Sequence, residues 1–122
     1  MTWLGLVSSI VSAAFPDRRK RGVDAPPGLE GASVAYVNEG RSGRVVLTHG
    51  LKTIEMYFEF GGGDTLATIS VPSAAEWEAR TGFPLANRGA ILEFVGRSVV
   101  RDQTSGGNGR FEVQENSICI YA

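Results

Sequence analysis

Residues 51–60, LKTIEMYFEF, place Ile54, Met56, Phe58 and Phe60 in strict alternation with Glu55, Tyr57 and Glu59. A period of two is the signature of a half-buried strand, because successive side chains of an extended chain point to opposite faces. This stretch therefore requires a sheet with one face against a core and the other toward water.

The same period recurs on both sides. SVAYVNE and GRVVLTH read as two strands of a hairpin joined across Gly40, Arg41, Ser42 and Gly43. TLATISV sets Ala67, Ile69 and Val71 against Thr68 and Ser70. Near the end, RFEVQENSICIYA supplies two short strands, Phe111 and Val113 in the first, Ile118, Cys119, Ile120 and Tyr121 in the second.

Between these groups the period becomes helical. In PSAAEWEARTG, Ser73 and Glu76 have the spacing of a capping box, and Gly82 is placed to stop a short helix. A second helix follows Pro84, with Leu85, Ile91, Leu92, Val95 and Val99 on one stripe, while Gly89 and Gly96 either weaken it or permit close packing. Arg88, Arg97 and Arg101, with Glu93 four residues before Arg97, predict a solvated, ion-paired helix face.

The fold class that follows is α+β: an antiparallel sheet of about six strands in the order β-β-β-β-α-α-β-β, with two helices packed on one face. A chain of 122 residues, 43% hydrophobic and 20% charged, can bury such a core without disulfides or metal ions. The sole cysteine, Cys119, lies in an apolar run and is expected to be a buried, inert thiol in a reducing compartment.

The N-terminal residues differ in kind. TWLGLVSSIVSAAF gathers Trp3, Leu4, Leu6, Val7, Ile10, Val11, Ala14 and Phe15 on about half of a helical wheel, and its opposite half carries no charge. It is too short and too rich in serine to span a bilayer. Arg18, Arg19, Lys20 and Arg21 follow, then prolines and glycines. Residues 1–31 are thus expected to form an amphipathic helix with a basic, Pro/Gly-rich linker, and residues 32–122 a single α+β domain. An apolar face beside a basic run is consistent with a helix docked on the domain beside a solvated charge run. Amphipathic helices are usually core elements, which favours docking; the pattern also matches attachment to an anionic membrane surface through Trp3, Arg18, Arg19, Lys20 and Arg21.

The glycine run Gly61–Gly63 with Asp64 raises the question of a ligand loop. A phosphate cradle needs a helix N-terminus behind it, and here a strand follows. A calcium loop needs several oxygen ligands at alternating positions, and Asp64 stands alone among glycines. The run is expected to be a hairpin turn. His49 is the only histidine, so a zinc-binding histidine pair is absent and a serine triad would have one candidate base; no GxSxG elbow occurs either, and no catalytic residue, metal ligand or cofactor is assigned. Glu55 and Glu59 stand roughly 13 Å apart along one strand face, beyond the usual glycosidase separation.

Two function classes remain. One is a non-enzymatic protein-interaction module, a small inhibitor or immunity-like binder, presenting Glu55, Tyr57 and Glu59 to a basic partner. The other is a peripheral membrane or assembly module anchored by the N-terminal helix and its basic run. A net charge of −1 with no nucleic-acid motif argues against nucleic acid as partner, and the expected location is the cytoplasm, at a membrane periphery under the second reading.

Overall fold

The computed structural model describes residues 24–122. The expected N-terminal helix, with Trp3 and the Arg18–Arg21 run, lies outside the described residues.

Six strands form one antiparallel sheet: β1 (Ser33–Glu39), β2 (Ser42–His49), β3 (Lys52–Phe60), β4 (Thr65–Ser70), β5 (Arg110–Val113) and β6 (Ser117–Tyr121). Two α-helices, α1 (Trp77–Thr81) and α2 (Arg88–Gln103), lie between β4 and β5. The spatial order is β1-β2-β3-β4-β6-β5, so the last strand inserts between β4 and β5. This is the α+β architecture and element order that the alternation implied.

Pairing sets the faces. Tyr36 lies opposite Val45, Val45 opposite Met56, Phe58 opposite Ile69, Ile69 opposite Ile118, and Ile120 opposite Phe111. Residues directly opposed in an antiparallel pair share a face. This set, joined by Ile91, Leu92, Phe94, Val95 and Val99 of α2 and by Trp77 of α1, forms the core. Leu29, within the stretch expected to be linker, is buried in the same core, with Ala25 and Ala32 packed beside it.

Three local readings are revised. The capping box does not form: the Glu76 N–H that Ser73 would cap donates instead to the Ser73 carbonyl at 3.1 Å, closing a tight 3-10 turn before α1. The Glu76 carboxylate pairs with Arg80 at 3.5 Å. Leu66 breaks the alternation of β4, because a bulge between Thr65 and Ala67 turns it into the core. Leu85, counted on the apolar stripe of the second helix, is 44% exposed, since it precedes α2 in a separate 3-10 turn.

Arg88 is not part of a solvated face. Its guanidinium donates to the carbonyls of Pro72 and Glu115 and lies 5.8 Å from the centre of the Trp77 ring. It thereby ties the start of α2 to the β4–α1 connection and to the β5–β6 turn. Gly96 permits close packing: a Cβ there would stand 2.4 Å from the Phe111 ring, so the glycine seats the edge strand against α2.

The glycine run is a hairpin turn. Gly61 N–H donates to Leu66 O at 2.9 Å, Thr65 N–H donates to Gly62 O at 3.2 Å, and Gly63 holds φ +62°. That is the left-handed conformation a side chain disfavours.

Candidate functional site

Both helices pack on one side of the sheet, and the other side carries the predicted residues. Glu55, Tyr57 and Glu59 all stand on this open face of β3 and are exposed, Tyr57 to 48%. The structure brings together more than that strand. Glu39 pairs in register with Ser42, Ser42 with Glu59, Glu59 with Thr68, Thr68 with Cys119 and Cys119 with Glu112. One row across all six strands therefore displays Glu39, Glu59 and Glu112. At the usual strand spacing, Glu39 and Glu112 stand roughly 10 Å and 14 Å from Glu59.

Two arginines temper this acidity. Arg44 on β2 donates to Glu55 at 3.1 Å and stands 3.6 Å from Glu39, with the side chains of Arg44 and Glu55 exposed to 37% and 54%. Exposed pairs of this kind contribute roughly 0–1 kcal/mol to stability. Arg110 lies 4.1 Å from the Tyr121 ring centre and 3.8 Å from Glu112. Four carboxylates against two guanidiniums leave the face net negative. Glu59 has no cation within ion-pair distance among the described residues, and the Tyr57 hydroxyl donates to it at 3.4 Å.

Cys119 is corrected: it is half-buried on this open face between Thr68 and Glu112, not within the core. The alternation of Ile118 and Ile120, both fully buried, carried that signal, since the residue between two inward side chains must point outward. Glu39 was also within reach of the sequence, because the β1–β2 turn dictates its register. Glu112 was not, since β5 joins the row only through β6.

The buried polar groups lie on the other side. The Tyr36 hydroxyl, beneath α2, donates to Asp102 at 2.7 Å. Burial, and then the adjacent Asp102 carboxylate, push its pKa well above the ordinary tyrosine value. Asp102 also accepts two hydrogen bonds from Arg101, at 2.7 and 3.1 Å. This cluster braces the helix against β1 and presents no reactive pair. His49 ends β2 beside the turn, partly exposed. Among the described residues no group of three or more His, Cys, Asp or Glu side chains is placed to hold a metal ion. Nor is any helix there long and apolar enough to cross a membrane.

Comparison with protein-family models, with characterised proteins and with solved structures gave no match to this chain.

Proposed function

We propose that the protein is a non-enzymatic protein-interaction module, a small inhibitor or immunity-like binder, that presents the open face of its sheet to a basic partner surface. One observation carries the reading: the row Glu39, Glu59 and Glu112 spans the sheet beside an exposed Tyr57, on the face that the helices leave uncovered. The paired strands set these carboxylates at regular intervals across one face, so a partner with cations in a matching pattern is complementary to them. Tyr57, two residues before Glu59 on β3, supplies an exposed aromatic anchor beside that row.

The test is capture from a lysate by the wild-type chain and by Glu55→Lys/Glu59→Lys, with bound proteins identified by mass spectrometry. A basic partner retained by the wild type, released by raised salt and lost from the double variant is the expected result. A partner held equally by both chains would refute the reading.

The second reading, a peripheral membrane or assembly module, is favoured by the uncharged back of residues 2–15 and by the basic run Arg18–Arg21. Flotation of the full chain with anionic and with neutral vesicles tests it, since only the anionic vesicles should carry the protein.

A further inference from the structure

The C-terminal half of α2, the loop after it and the start of β5 border an open, solvent-facing cleft of about 510 Å³. That volume falls within the range typical of small-molecule sites. Residues 24–122 hold twelve acidic and eight basic residues, yet three of the eight, Arg97, Arg101 and Arg110, line this one cleft and no acidic residue does.

The three arginines are held differently. Arg101 is fixed by its two hydrogen bonds to Asp102, which orient the guanidinium and offset part of its charge. The Arg110 guanidinium is drawn toward the Tyr121 ring on the open face and pairs with Glu112 at 3.8 Å, so it stands at the rim with part of its charge offset. Arg97, one helical turn before Arg101, is exposed and makes no ion pair or hydrogen bond with another described residue. It keeps its full complement of donors for a ligand.

The remaining lining is uncharged. Val100 and Phe111, both half-buried, form an apolar floor, and Phe111 is held in place by its close approach to Gly96. Gly106 and Gly107, at φ +63° and +71°, give a wall without side chains where a bound molecule can approach the backbone closely. An inorganic anion would leave the apolar floor unused, and a neutral apolar molecule would leave Arg97 without a partner.

We propose that this cleft binds a small organic anion, a carboxylate, sulfonate or phosphate borne on an apolar ring or chain. The anion is held by Arg97 with Arg101 behind it, and the apolar body rests on Val100 and Phe111. This site is independent of the open-face reading, because Arg97 and Phe111 belong to the helix-covered side of the sheet.

Titration of the full chain with anilinonaphthalene sulfonate, an aromatic anion, followed through the backbone amide resonances, tests the proposal. The expected result is saturable shifts centred on Gly106, Gly107 and Gly109. Arg97→Glu should weaken binding by about tenfold or more, as expected for loss of a charge-assisted hydrogen bond. The exposed position of Arg97 leaves the fold intact, which an unchanged melting temperature verifies. Uncharged N-phenylnaphthylamine should bind at least about tenfold more weakly than the sulfonate, on the same loss of charge-assisted bonding. Shifts centred elsewhere, equal affinity for the two probes, or binding that Arg97→Glu leaves unchanged would each overturn the assignment.

Discussion

The two faces of the sheet are built from alternate residues of the same strands, yet they obey different constraints. On the covered face, Val45, Met56, Phe58, Ile69 and Ile120 are buried almost completely. Every atom there has a neighbour, and a change of volume is felt at once. On the open face, Arg44, Glu55, Tyr57 and Glu59 stand in solvent and make exposed pairs of small energetic weight. The stability of the domain therefore rests mainly on one set of alternate residues, and the other set is under little packing constraint.

The sharpest test of this contrast uses adjacent residues. Phe58→Ala should cost about 3–5 kcal/mol in urea unfolding, the range for a buried aromatic truncated to alanine. Tyr57→Ala, one residue away on the open face, should cost less than about 1 kcal/mol. Similar losses at the two positions would mean that the open face is covered and would break the comparison.

Intermediate effects are expected beneath α2. Gly96→Ala would push a methyl group into the Phe111 ring and should destabilise by about 1–3 kcal/mol. Gly89→Ala, on the exposed side of the same helix with open space around it, should stabilise by up to about 1 kcal/mol. Tyr36→Phe removes a buried hydrogen bond to Asp102, at a cost of about 1–3 kcal/mol.

The Tyr36 pKa adds a pH signature. Its folded value is raised, so the contribution of the protonated hydroxyl is fully present below the unfolded tyrosine pKa of about 10. It is lost as pH rises from there through the folded value. Melting temperatures of the wild type should fall across that alkaline window more steeply than those of Tyr36→Phe. Parallel curves would show that the hydroxyl is not held in its neutral form.

Smaller effects belong to the turn and to the open face. Gly63→Ala should cost on the order of 1 kcal/mol, because the left-handed conformation disfavours a side chain, whereas Gly62→Ala, with a negative φ and open space, should be close to neutral. Smallest of all, Glu55→Lys/Glu59→Lys should change unfolding free energy by less than about 1 kcal/mol, since it removes only exposed pairs. A larger loss would show that these carboxylates support the fold itself.

How far the sequence carried can be seen at particular residues. Glu55, Tyr57 and Glu59 were legible as one exposed face because alternation is a local property of an extended chain. Glycine and aspartate between two strands were legible as a turn for the same reason. Arg88 was misread as solvated because its partners are the carbonyls of Pro72 and Glu115, sixteen and twenty-seven residues away. Helical spacing says which residues share a face but not what the chain later lays against it.

The sequence by itself determined the number and order of the strands and helices, the inward and outward sets on β3, and the place of the β3–β4 turn. These follow from backbone geometry and turn chemistry, which act over a few residues. Only the tertiary structure decided that β6 enters between β4 and β5. With that insertion came the row Glu39, Glu59 and Glu112, the pairing of Cys119 with Glu112, and the cleft between α2 and β5. Those juxtapositions depend on which strand edge pairs with which, a choice made by burial of apolar surface across the whole core rather than by any local pattern.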